Sequence, residues 1–276
     1  TDIDSDILKE VFQKSIQSKH SIKDMSIPVW NGSMVCAAGE LSPIIWDKGA
    51  VALNTWKQPS YRGSAPHGEG IKIVEEFFDT FFVRKAEKEK FLDWLAWCIQ
   101  NEKDKPAWAP FFISPTKGSG KSTLNNLVKC LFGKKNSVTI NGVEKLTSRF
   151  NNTVMTSKLV VLEEISLKTD SPQSNAMKTF ITEKETMVEM KGHEAERMEQ
   201  VCCFILTSNH SPTWIEKDER RYYLIDIDHG GHAHGPKAKE FVPLCIQLYE
   251  FLEDERNIAT LYKTLMERRI AEGFSA

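Results

Sequence analysis

Two textures divide the chain. Near the start, Ile7, Leu8, Val11, Phe12 and Ile16 recur at helical spacing, predicting a helix over 5–18. From 28 to 62 short apolar pieces (35–38 and 44–46) lie between Gly and Pro, which reads as short strands and turns with a loop over 59–70. Helices are expected over 71–82 and 87–100, the second carrying Phe91, Leu92, Leu95 and Cys98 on one face. After Pro106 and Pro110 the pattern changes to strand–helix alternation. Strands are predicted at 111–113, 137–140, 159–162 and 222–227, and strands at 187–190 and 201–207 flank a polar turn. Helices are predicted at 121–132, closed by Gly133, and at 143–154 and 173–183. Such alternation predicts an α/β fold: a central parallel sheet flanked by helices on both faces.

Composition narrows the class without naming a chemistry. At 276 residues and net charge −2 the chain is not a general electrostatic binder of nucleic acid, so any such contact has to come from local basic residues. No apolar stretch is long enough to span a membrane. The six cysteines (36, 98, 130, 202, 203 and 245) show no metal-ligand spacing and read as free thiols in a reducing, cytoplasmic setting. The first residues have neither the basic nor the apolar part of a signal peptide, and they lack Met, so the chain reads as part of a longer polypeptide. The run from Asp228 to His234 offers ligand types, but at no fixed spacing, and is read as a turn rather than a metal site.

One segment carries recognisable chemistry. Thr116, Lys117, Gly118, Ser119, Gly120, Lys121, Ser122 and Thr123 follow a predicted strand and open a predicted helix. A glycine-permissive loop at a helix N-terminus cradles phosphate with main-chain N–H groups, and the helix dipole favours the anion. Lys121 is expected to reach the β- and γ-oxygens of ATP, and Ser122 to place its hydroxyl on Mg²⁺. Pro115 stands where the G-x-x-x-x-G-K-[ST] pattern has its first glycine.

The partners of that loop are read from strand ends. The strand at 159–162 ends in Glu163 and Glu164, and carboxyl ends of parallel strands face the ligand crevice. Glu163 is expected to hold the metal and Glu164 to act as base toward the attacking water. Asn209, at the end of another apolar strand, is expected to sense the γ-phosphate, and Arg220 or Arg221 to neutralise charge developing there, from a neighbouring subunit.

Taken together, the segments 118–122, 159–164, 191–192 and 206–209, closing with Arg220 and Arg221, resemble superfamily 3 helicases of viruses and plasmids, most of all the helicase part of phage and plasmid primase proteins. The stretch 52–57 looks like the one that leads into this module in phage primase-polymerases. The resemblance implies a P-loop NTPase core of AAA+-like type, a homo-oligomeric ring, commonly a hexamer, and a primase or polymerase domain in the same polypeptide. It also implies single-stranded DNA in the ring centre, touched by a hairpin that here carries Lys191 and His193. On this reading, residues 1–85 are an accessory, oligomerisation or linker region, 86–235 the ATPase, and 236–276 a C-terminal helical segment. The expected activity is ATP-dependent translocation on single-stranded DNA. A ring-forming clamp with little turnover is the alternative, and a small-molecule phosphotransferase is disfavoured by the paired glutamates.

Overall fold

The computed structural model describes residues 30–47, 50–68, 70–147, 151–188, 196–229 and 234–276. The expected helix at 5–18 lies outside them. The described chain begins with a small sheet of β1 (Trp30–Val35), β2 (Ile44–Asp47) and β3 (Ala50–Asn54), in the order β1-β3-β2. Buried Asn54 organises the turns around it: its Oδ1 accepts from the N–H groups of Ala37 and Trp56, and its Nδ2 donates to the carbonyls of Glu40 and Ser42. Hydrogen bonds join this region to the rest: Thr55 Oγ1 donates to Thr156 O at 2.7 Å, and Asn136 accepts from Lys57 N at 2.8 Å through Oδ1 and donates to Lys57 O at 2.7 Å through Nδ2.

The remaining elements follow the predicted alternation: α1 (Lys72–Phe81), α2 (Lys85–Gln100), β4 (Ala109–Ile113), α3 (Lys121–Phe132) and β5 (Ser137–Asn141). Then come α4 (Glu144–Thr147), α5 (Asn152–Met155), β6 (Leu159–Glu163) and α6 (Pro172–Thr182). A hairpin of β7 (Glu185–Val188) and β8 (Glu196–Glu199) leads to β9 (Cys203–Ser208), β10 (Tyr222–Asp226), α7 (Ala238–Phe251) and α8 (Glu255–Glu267). The single helix expected over 143–154 is two short ones. At the start of the second, Asn151 O accepts from the N–H groups of Val154 and Met155, and Asn151 Nδ2 donates back to Leu146 O at 3.5 Å; a side chain that bonds the backbone in this way competes with a continuous helix.

Five strands form the main sheet in the order β10-β4-β9-β6-β5, every pairing parallel. The inner strands β4, β6 and β9 are buried almost throughout, whereas most residues of the edge strands β5 and β10 are partly or fully exposed. Helices cover both faces of a parallel sheet, so inner strands read as unbroken apolar runs. Alternate strand residues feed two cores. Phe112, Leu159, Val161, Cys203, Ile205 and Ile225 join one with residues of α1, α2, α3, α7 and α8, and Phe111, Val160, Leu162, Phe204 and Leu206 join the other with Met177 and Ile181 of α6. Each fully buried Phe or Leu stabilises by roughly 1.5–3 kcal/mol.

Register decides what shares an edge. Ile113 lies beside Ser208 and Asp226, Leu162 beside Leu206, and Glu163 beside Asn141. The carboxyl ends of β4, β6 and β9 therefore open onto one rim, where the residues that follow them must meet.

Candidate functional site

The loop between β4 and α3 is held at its start by Ser114, whose N–H donates to Ser208 O at 3.2 Å and whose hydroxyl donates to Thr116 O at 2.9 Å. Gly118 and Gly120 both have positive φ, 78° and 93°, a region open to glycine and costly for other residues. Thr116, Lys117, Gly118 and Ser122 are exposed, while Ser119 and Thr123 are buried. The N–H groups opening α3 at Lys121 have no partner within the helix. Lys121 folds back over the loop, its Nζ donating to Asn209 Oδ1 at 2.8 Å, Ser119 Oγ at 3.2 Å and Ser114 O at 3.4 Å. Burial pulls this ammonium below its ordinary pKa, and the charge of Glu164 partly offsets the shift.

The two glutamates leave β6 in different directions. Glu163, half-buried, accepts from Asn125 Nδ2 at 2.9 Å. Glu164 is exposed, has φ 54°, and accepts from Asn209 Nδ2 at 2.5 Å. Left-handed backbone at a non-glycine residue costs about 1–3 kcal/mol and gathers at working sites. Asn209 thus bridges Lys121 and Glu164, so ammonium, amide and carboxylate from three elements form one chain of hydrogen bonds. Asn125 Oδ1 is buried with no hydrogen-bond partner beside the Glu163 carboxylate. An acceptor left without a donor beside a carboxylate is open to a water molecule.

Arg220 and Arg221 are not part of this constellation. They precede β10, and Arg221 O accepts from Ala109 N at the start of β4, so both sit at the opposite rim of the sheet, the length of a strand from the loop. Arg221 pairs with Glu219 at 3.0 Å. Arg220 is exposed and, among the described residues, makes no hydrogen bond or ion pair. Neither arginine can reach the loop of its own chain.

Lys191, Gly192 and His193 lie outside the described residues; the strands β7 and β8 on either side of them pair antiparallel, with Val188 opposite Glu196. Among the described residues no group of three or more His, Cys, Asp or Glu is gathered to hold a metal ion, the cysteines are free, and no helix is long and apolar enough to cross a membrane.

Asn125, His229, Phe81 and Phe241 also build the rim. Asn125 stands four residues after Lys121 on the same helix face, a spacing that was legible. His229 Nε2 lies 3.1 Å from Ser119 O and its ring is 4.7 Å from that of Phe241. Phe81 and Phe241, from α1 and α7, press on Gly120 from outside. His229 falls in the run read as a turn, and no local pattern marks Phe81 or Phe241; packing of distant segments places all three at the rim.

A family model described as "Family of unknown function (DUF5906)" matches residues 112–221, the stretch from β4 to the arginine pair. The DNA primase-polymerase of Nitratiruptor phage NrS-1 is 27% identical over 213 residues, 75% of this chain and 29% of that protein. Two solved apo structures of the NrS-1 C-terminal region superpose with TM-scores of 0.69 and 0.68 at 21% identity, covering 96% of this chain and 61% and 60% of theirs. The chain thus spans less than a third of the curated relative it matches, and it has the fold of that relative's C-terminal region.

Proposed function

We propose that this chain is the ATP-driven motor of a phage or plasmid DNA replication protein, a translocase or helicase on single-stranded DNA that works as a ring of copies. The observation that carries the reading is the hydrogen-bonded chain Lys121–Asn209–Glu164 at the mouth of α3, with Glu163 and Asn125 beside it. Similarity to a protein named DNA primase-polymerase supports the setting in DNA replication, with a primase or polymerase domain in the same polypeptide.

The residues divide the work. Loop N–H groups over 116–123 and the Lys121 ammonium would bind the phosphates of ATP, and Lys121 would exchange its neutral oxygen partners for charged ones. Ser122 and Glu163 would hold Mg²⁺, which when bound spreads the charge of the phosphates. Glu164 Oε1 would take the proton of the attacking water, oriented by Asn209. Because neither arginine reaches its own loop, Arg220 or Arg221 would act at the site of an adjacent copy, a contribution worth roughly 10³–10⁵ in rate where such arginines operate. The hairpin carrying Lys191 and His193 would contact the phosphate backbone without reading its sequence.

The test is turnover and unwinding. The protein should hydrolyse ATP with Mg²⁺, faster with single-stranded DNA, and Lys121→Ala should abolish both binding and turnover. Undiminished hydrolysis by that variant would sink the nucleotide site. A nucleotide-bound ring without strand separation would instead favour a clamp.

A further inference from the structure

The two arginines before β10 are held differently, and the difference rests on Glu219. Its side chain is 3% exposed. The carboxylate accepts from the Arg221 main-chain N–H at 3.0 Å, from Arg221 Nη1 at 3.0 and 3.3 Å, and pairs with Lys178 Nζ at 3.5 Å. Burial pushes this carboxyl upward, but the Arg221 N–H and guanidinium, with Lys178 behind them, outweigh it and hold the group below the usual carboxylate range. Lys178, on α6, also donates to Glu216 Oε1 at 2.8 Å, while Glu219 N donates to Glu216 O at 3.1 Å. The 216–221 turn is thereby fastened to α6. That helix is fixed in turn at its far end, where Lys105 Nζ and Gln200 Nε2 both donate to the carbonyls of Phe180 and Glu183.

Arg220 stands between two residues that this carboxylate fixes, yet its own side chain is exposed and, among the described residues, has no polar partner. Arg221 is occupied by Glu219. The backbone at the root of this side chain is thus held on both sides, while its guanidinium stays available to a charge outside its own chain.

We propose that Glu219, backed by Lys178, is the positioning residue that presents Arg220, and not Arg221, to the nucleotide site of a neighbouring copy; the inference rests on the ATPase reading above. Glu219 touches no substrate. It acts through the arginine it places.

Complementation between full-length variants tests this. Lys121→Ala has a dead loop but an intact arginine, and Arg220→Ala the reverse, so their mixture should regain turnover that neither has alone. Glu219→Gln keeps the size of the side chain and an acceptor for the Arg221 N–H. It should lower kcat by about tenfold to a hundredfold with KM for ATP within about twofold of native. Mixed with Lys121→Ala it should regain turnover; mixed with Arg220→Ala it should not. Lys178→Met, which keeps the stem of the side chain, should sort with Glu219→Gln, and serves if that variant fails to fold. Native turnover by both Glu219→Gln and Lys178→Met, beside a dead Arg220→Ala, overturns the positioning role alone. Loss that Lys121→Ala does not restore, or rescue by Arg220→Ala, also overturns it. Native turnover by Arg220→Ala removes the trans-acting arginine, and this role with it.

Discussion

Replacing Gly120 with alanine probes the physical basis of the loop more directly than any charge change. Gly120 has φ 93°, and a Cβ there would lie 2.8 Å from Phe241 Cζ and 3.3 Å from Phe81 Cδ2. Neither ring has room to retreat. Phe241 is 2% exposed and stacks on Phe77 at 6.3 Å, and Phe81 is fully buried between Phe77 at 5.3 Å and Phe112 at 5.7 Å. The left-handed backbone alone costs alanine about 1–2 kcal/mol, and forcing a methyl into a filled core adds roughly 1–3 kcal/mol. The sum, about 2–5 kcal/mol, is a large part of the roughly 5–15 kcal/mol that holds a domain together. Urea unfolding should show a lower midpoint at unchanged slope. Phe241→Leu should relieve the clash but not the backbone strain, so the double variant should recover about 1–2 kcal/mol relative to additivity. Gly120→Ala unfolding at the native midpoint, or the two changes adding within about 0.5 kcal/mol, would refute the reasoning.

Other outcomes follow from the rim and from the buried lysines. Glu164→Gln should bind nucleotide normally and lose nearly all turnover, whereas Glu163→Gln should raise the Mg²⁺ concentration needed for half-maximal rate; a common phenotype for both would undo their separate roles. Lys105, buried, has its pKa lowered to about 8 by desolvation. Because the folded value lies below the unfolded one, the unfolded chain holds more protons between about pH 8 and 10.5, so stability lost to this charge is regained as pH rises through that window. The penalty is on the order of 3 kcal/mol, and the native protein should gain on Lys105→Met between pH 7.5 and 9.5 in paired urea titrations. A flat difference would mean that the bonds to Phe180 O and Glu183 O hold Lys105 charged throughout.

Sequence alone settled the alternation of elements, because burying a strand on both faces demands the apolar runs at 111–113, 159–162 and 201–207, and an α3 bounded by two glycines is written in local chemistry. It also singled out Lys121, Glu163, Glu164 and Asn209, each the residue just past a strand or at a helix mouth. Tertiary structure alone decided the strand order, which brings those four to one rim and sends Arg220 and Arg221 to the other. It alone decided, too, that Phe81 and Phe241, 160 residues apart, close over Gly120, and that Glu219 takes one arginine and leaves the next free. Order and register depend on contacts between segments far apart in the chain, and no window of neighbouring residues contains them.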